Sequence, residues 1–303
     1  MIAEPRAQPP QARGTLRGDA VAAHRSRSQR LGAAQLLDWL AVTYLVLVVL
    51  AALAAEYLPG LAAPTASVGE FSQAPTLTVN GLLGTDALGR SIFSRVIYGA
   101  RASLAVACIA TAISLTLGLA LGMLAGFYRG LIERIVDLYA NTVASLPPIL
   151  LILGLVAATG PSLFTITASL GILGIGTYAR ITKGGVIAQA EREYVLAARA
   201  LGAKDSRILT LELLPNLLPT LTSVVPPLMA GLIVTEGSLS FLGYGIPPPT
   251  PSWGGMIAGS TDLLNRFPLL IFGPILAIVL TVFSLNTVGD RLARRISLRE
   301  GQL

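Results

Sequence analysis

Charge is absent from this sequence over stretches too long for a soluble protein to bury. Every residue from Ala102 to Tyr128 is uncharged, and so is every residue from Leu138 to Ala179. A helix rises about 1.5 Å per residue, so about 20 apolar residues cross the roughly 30 Å hydrocarbon core of a bilayer. The first run supplies one crossing. The second supplies two, and Thr159-Gly160-Pro161-Ser162 provides turn chemistry for a tight hairpin between them. Further runs extend from Trp39 to Ala55, between Glu212 and Glu236, and between Arg266 and Asp290. The expected fold class is all-α and integral to a membrane, with six transmembrane helices near 37–57, 102–128, 136–159, 162–180, 216–236 and 267–289. A polar loop, 181–215, separates the fourth and fifth spans. Composition agrees, because 13% charged residues is about half the share usual in soluble domains.

Six crossings put both termini on one side, and the positive-inside rule chooses which. Of the 22 Lys and Arg residues, only Arg90, Arg95, Arg101 and Arg266 fall outside when the N-terminus is cytoplasmic; the other eighteen fall inside. The net charge of +6 then suits anionic lipid headgroups and gives no reason to invoke nucleic acid. Residues 1–35 are rich in Arg, Ala, Gln and Pro without apolar periodicity, and read as a disordered basic cytoplasmic tail ahead of a permease domain, 36–303. The apolar run after this tail is long and lacks a clear cleavage site, so it reads as a signal anchor. Cys108 is the only cysteine and reads as a free core thiol; His24, in the tail, is the only histidine, so a histidine-based metal site or catalytic triad is excluded.

The loop 181–215 carries the most distinctive pattern. Tyr194, Ala197, Ala198 and Leu201 recur at helical spacing and leave Arg192, Glu193 and Arg199 on the opposite side, which predicts a short amphipathic helix. Gly202 ends it, Asp205 is expected to cap a second helix, and Pro215 marks where the chain turns back toward the bilayer. Periodicity alone fits either a lever that transmits motion or a connector lying on the membrane surface.

At this loop the chain resembles the inner-membrane permeases of binding-protein-dependent ABC importers. Their signature is Glu-Ala-Ala, three residues, Gly, nine residues, then a hydrophobic pair and Pro; here Ala197-Ala198 and Gly202 match, a hydrophobic pair ending at Leu214, then Pro215, follows after ten residues, and Leu196 replaces the Glu, with Glu193 three residues earlier. Two further motifs are similar to the second permease of the dipeptide and oligopeptide branch. One is Gly84-Thr-Asp86-Ala-Leu-Gly-Arg90 followed by Ser94-Arg95 and Tyr98-Gly-Ala-Arg101-Ala-Ser103-Leu104, and the other is Glu236-Gly-Ser-Leu-Ser-Phe-Leu-Gly243 followed by Pro247 to Trp253. Ser91 stands where that branch usually has Asp.

The resemblance implies a type I ABC importer permease fold with a cytoplasmic coupling helix, in a bacterial cytoplasmic membrane. It implies as partners a homologous second permease, two ATPase subunits carrying ATP and Mg, and a periplasmic or lipid-anchored solute-binding protein. It assigns ATPase coupling to Glu193, Tyr194, Ala197, Ala198, Arg199, Gly202 and Pro215, and outer-face docking or gating to Asp86, Arg90, Glu236 and Trp253. Short peptides are the implied solute; nickel chelates or other small solutes are the alternative.

Three features remain open. Pro147-Pro148 and Pro226-Pro227 interrupt helical hydrogen bonding and mark either packed kinks or the transport path. Gly118 and Gly122 form a small-residue face that serves either packing within the chain or the partner permease. Pro247 to Pro251 is stiff, and the Trp after it suits a membrane interface. Other function classes are disfavoured: the apolar runs hold no intramembrane carboxylate or histidine for a secondary transporter or membrane enzyme, and no Gly-Lys pair exists for a phosphate-binding loop.

Overall fold

The computed structural model describes residues 35–261, 264 and 267–300, so residues 1–34 of the expected tail and Arg266 lie outside the described residues, while Gln35 begins a helix. The chain divides into two units, Met1–Leu40 and Ala41–Leu303. Only 35–40 of the first are described, and the helical bundle belongs to the second.

Helix α1 spans Gln35–Ala54, α2 Ile92–Tyr128, α3 Gly130–Ser145, α4 Pro148–Thr159 and α5 Leu163–Ala190. Helix α6 is Glu193–Ala200, α7 is Asp205–Phe241, α8 is Trp253–Ala258 and α9 is Leu269–Glu300. Among the described residues, α1, α2, α5, α7 and α9 are each long and apolar enough to cross a membrane, and α3 with α4 meets that test together although the pair is bent by 90°.

Several helices run past the expected limits of their spans. Helix α2 starts ten residues before 102, and at about 1.5 Å per residue its 37 residues exceed what the hydrocarbon core requires. A helix does not stop where the bilayer stops, since charged side chains on its last turns extend into water. Much of the expected loop 181–215 is accordingly helical: α5 reaches Ala190, and α7 begins at Asp205.

The two proline pairs have opposite outcomes. Leu146, ahead of Pro147, takes the extended conformation (φ −108°, ψ 143°) that a following proline favours, and there α3 ends and α4 departs at 90°. Pro226 and Pro227 lie inside α7, which continues through them together with Pro219. Tertiary packing accounts for the second case. Pro227 removes the partner of the Ser223 carbonyl, and a Cβ built at Gly289 of α9 would lie 2.6 Å from Pro227 Cδ and 3.1 Å from that carbonyl, so the break is sealed against another helix.

Between Ile208 and Leu213 α7 widens into a π-helical turn, with Leu214 N–H donating to Leu209 O five residues back. Pro215 follows directly in the next α-helical stretch. The expectation that the chain turns there is therefore corrected: the widened turn ends just ahead of a residue that regular α geometry accommodates poorly, and the helix carries on.

Helix α2 is the central element. A Cβ at Gly118 would meet Tyr178 Cβ at 2.5 Å, and one at Gly122 would meet the Ala179 carbonyl at 2.5 Å, so these glycines serve contact with α5 of the same chain. Cys108, by contrast, is exposed on α2 rather than in the core. Apolar clusters surround α2, three of which are large. One joins Val106 and Ala110 to Ile152, Ile166 and Leu239; a second joins Ala100 and Ala107 to Ile233, Trp253 and Ala277; a third joins Met123 to Val186, Val195, Ile208, Leu213 and Leu217. Polar ties add to them: Lys183 Nζ on α5 donates to Asp137 at 2.7 Å and Glu133 at 3.2 Å on α3, and Arg101 donates to the Ala52 and Leu53 carbonyls at the end of α1.

Replacing Gly122 with Leu forces the Ala179 backbone away and is expected to cost at least about 1–3 kcal/mol. Gly154→Ala on α4, where no neighbour lies within 4 Å of the added carbon, is expected to be neutral or slightly stabilising. Thermal unfolding of the purified protein in lipid nanodiscs compares the two; equal melting temperatures would mean that the α2–α5 contact does not hold the bundle together.

Candidate functional site

The candidate residues fall at two opposite ends of the bundle. At one end α6 lies across the termini of α2, α5 and α7. The buried side of α6 is not the expected one. Val195 is fully buried and Ala198 partly so, while Tyr194, Ala197 and Leu201 are exposed. The packed face is set by its partners, Ile208, Leu209 and Leu213 at the start of α7 together with Met123 and Phe127 of α2. Arg199 sits 5.0 Å from the centre of the Phe127 ring, a cation–π contact that ties α6 to α2. Tyr194 donates to Gln189 Oε1 at 3.0 Å, and desolvation pushes its phenol above the ordinary tyrosine range, so it remains a neutral donor. Glu193 opens the helix and is exposed.

The end of α6 is a Schellman turn. Gly202 has φ +78°, its N–H donates to Arg199 O at 2.9 Å, and Ala203 N–H donates to Ala198 O at 3.0 Å. Asp205 does not cap the next helix: it is the first residue of α7, whose cap position is Lys204 with no side-chain bond. The surface left to solvent combines Leu196, Ala197, Ala200 and Leu201, the last at 88% exposure. A rigidly rooted helix thus presents small and apolar side chains outward.

At the opposite end Asp86, Arg90, Glu236 and Trp253 divide between two clusters. Asp86 closes its own turn, its Oδ1 accepting from the N–H groups of Leu88 at 2.9 Å and Arg90 at 3.0 Å, while Arg90 Nε donates to Oδ2 at 2.7 Å. Asp86 does not cap the helix that follows. That cap is Ser91, whose hydroxyl accepts from Ser94 N–H at 3.2 Å. Aspartate serves the same position equally well, which explains physically why Ser91 is a tolerable departure from the motif. Arg95, part of the same motif but given no role from the sequence, joins the cluster, its Nε 3.6 Å from Asp86 Oδ2.

Glu236 and Trp253 meet at a buried polar junction of three helices. Because α7 runs on to Phe241, Glu236 lies within the helix rather than at its end, and it is 1% exposed. Ser103 of α2 donates to its Oε2 at 3.0 Å, and Ser240, one turn on, donates to Oε1 at 2.7 Å. Trp253 N–H donates to Ser103 Oγ at 3.3 Å, and Ser252, the cap of α8, donates to Ser240 at 3.4 Å. The Trp253 indole is also buried, donating to the Val96 carbonyl at 2.9 Å, which corrects the expectation of a lipid-facing interface residue. Glu236, placed by the sequence at the edge of an apolar run, is a buried carboxyl within the helix. It went unseen because a glutamate at the end of an apolar run looks like a boundary; the serines that satisfy it are remote in sequence.

Glu236→Ala strands the Ser103 and Ser240 hydroxyls, whereas Glu236→Gln keeps an acceptor for them. A difference of about 1–3 kcal/mol in favour of Gln is expected, read as thermal stability of the purified chain. Equal losses in the two variants would mean that the junction is held by packing alone.

Comparison with known proteins agrees with this architecture. A family model described as the binding-protein-dependent transport system inner membrane component matches residues 118–301, which contain α6 and its turn. The chain is 35% identical over 215 residues to the di/tripeptide transport system permease protein DppC of Pseudomonas aeruginosa, covering 70% of each chain. It is 40% identical over 211 residues to the dipeptide transport system permease protein DppC of Escherichia coli, again 70% of each. A putative peptide transport system permease protein of Brucella suis is 36% identical over 272 residues, 88% of this chain and 86% of that one. Among solved structures, an inward facing MetNI methionine ABC transporter chain superposes with a TM-score of 0.58 at 20% identity, covering 66% of this chain and 95% of that one. An amino acid ABC transporter crystallised with histidines gives 0.51 at 17% identity, covering 69% and 94%. With its fold shared by those transporters and its family model spanning most of the helical core, the chain belongs to the binding-protein-dependent transport system inner membrane components, the permease subunits of ABC importers.

Proposed function

We propose that this permease translocates short peptides, with both termini and α6 in the cytosol and the Glu236–Trp253 end facing outward. The observation that carries the mechanism is α6 itself. Val195 and the Arg199–Phe127 contact root it in three helices, while Leu196, Ala197 and Leu201 remain exposed for a partner. A partner that displaces a lever held this way moves α2, α5 and α7 with it, because a packed interior transmits displacement rather than absorbing it. Glu193, Tyr194, Ala197, Ala198, Arg199 and Gly202 then form the coupling surface and its turn. Pro215 belongs to the root of α7. Leu201 and Leu196 add apolar area where the family signature carries a Glu, so docking relies more on burial than on that charge.

ATP and Mg bind the ATPase partners, and a second permease completes the path. Arginines and lysines crowd the α6 end, which supports its cytosolic placement. The peptide assignment is supported by the names of these relatives, all of which are peptide transport permeases. At the outer end the Asp86–Arg90 turn is the docking surface, and the Glu236–Trp253 junction holds the segment 242–252 against α2 as a gate.

Gly202→Val tests the lever. Its backbone, at φ +78°, costs a β-branched residue about 1–3 kcal/mol, while the absence of neighbours around the added carbon leaves the rest undisturbed. In the reconstituted complex, dipeptide uptake and solute-stimulated ATP hydrolysis are expected to fall together. Wild-type values for both, or labelling of Leu201→Cys by an impermeant maleimide from the outer side, would overturn the coupling assignment.

A further inference from the structure

Beside the Asp86 turn lies a recess of about 250 Å³ whose charges, among the described residues, do not balance. Asp86, Arg90 and Arg95 are the ionisable side chains lining it among the described residues; the remaining wall includes Leu88, Pro248 and Ser252. Arg90 Nε donates to Asp86 Oδ2 at 2.7 Å, and Arg95 Nε stands 3.6 Å from the same oxygen, so one carboxylate serves two guanidinium groups. All three are largely withdrawn from water, with side-chain exposures of 15% for Asp86, 19% for Arg90 and 11% for Arg95. Arg95 gains one compensating bond, from Nη1 to the Pro64 carbonyl at 3.0 Å. A guanidinium has five N–H donors in a planar fork, and the Asp86 and Pro64 contacts occupy a minority of them.

A surplus positive charge drawn out of water is costly until an anion meets it, and its attraction for that anion grows as water is excluded. The planar fork selects a carboxylate, which it can pair with through two parallel bonds. Size selects the carrier. Sites that enclose a whole small solute run from about 300 to 1,000 Å³; this recess is below that range and suits one inserted side chain, the usual form of an interface anchor. Pro248 and Pro251 stiffen the wall, so the shape exists before anything enters. The family is defined by dependence on a binding protein, which supplies a partner surface.

We propose that an acidic side chain of the soluble solute-binding protein inserts into this recess when that protein docks and pairs with Arg95, while Arg90 stays with Asp86. The inference rests on the outward placement of this end proposed above, and its test separates the two. In a chain with Cys108→Ser, Leu88→Cys on the rim is exposed to an impermeant maleimide in cells with a permeabilised outer membrane. Labelling is expected; labelling only after the cytoplasmic membrane is broken overturns the outward placement and this inference with it.

The affinity of the purified binding protein for the full complex in lipid nanodiscs is then measured as ionic strength rises. Wild-type affinity is expected to fall with salt. Arg95→Gln is expected to lose about tenfold or more and most of that salt dependence, and Arg95→Lys to lie between. Arg95→Glu should lose most, and one Asp→Lys or Glu→Lys reversal on the binding protein should restore it. Should Arg95→Gln fail to assemble, Arg90→Gln and its own reversal are read by the same criteria. Unchanged affinity in Arg95→Gln, no restoring reversal, or loss of free-dipeptide binding with docking intact overturns the acidic anchor while leaving the outward placement standing.

Discussion

The approach of α2 to α5 is the constraint on which the other contacts depend. Glycine at positions 118 and 122 brings the two backbones within contact of each other, and Gly126 continues the line, where an added carbon would lie 2.8 Å from Val186. In lipid there is little hydrophobic gain from pressing two apolar helices together, so shape complementarity of this kind has to hold them. Once α2 and α5 are fixed, their ends define two platforms. One receives α6 through Val186 and Met123, and the other receives α8 and the C-terminal part of α7 through Ala107 and Ala100.

The two platforms are built from different chemistry. At the α6 end the packing is apolar, with one cation–π contact and a Schellman turn, so the element is stiff but leaves its outer face unsatisfied by the chain itself. At the Trp253 end a carboxyl group, three serine hydroxyls and a backbone N–H form a closed set inside the bundle. A satisfied buried network strongly favours one arrangement over its neighbours, because each alternative leaves a polar group unpaired. Such a junction suits a gate with discrete closed and open positions, and a rooted helix suits a lever that moves it.

Legibility in the sequence tracked the range of the interaction. The helical class, the Gly160 turn and the helix ending before Gly202 depend on neighbours a few residues apart, and composition, turn chemistry and periodicity express those directly. The face of α6 was misread because Tyr194, Ala197 and Leu201 form a plausible stripe, whereas the deciding partners Ile208, Leu213 and Met123 come from other elements. Val195 carried a signal of its own in its β-branched side chain among alanines, too slight to outweigh the stripe. Counting charge would have found Arg95, since two arginines follow one aspartate within ten residues. Ser103 lies within a matched motif, but its role stayed unread because serine is unremarkable in an apolar helix until its partner 133 residues away is known.

By itself the sequence determined that this chain is a helical membrane protein with a polar, partly helical segment between two apolar runs, because burial of apolar length and local backbone chemistry require no knowledge of the fold. Tertiary structure decided the rest: that Pro147-Pro148 breaks a helix while Pro226-Pro227 does not, that Glu236 is interior, and that the surface of α6 left for a partner is the one carrying Leu201. Each of these turns on whether a freed carbonyl, a carboxyl or a methyl group finds a counterpart on another helix, and such pairings exist only after the helices have been brought together.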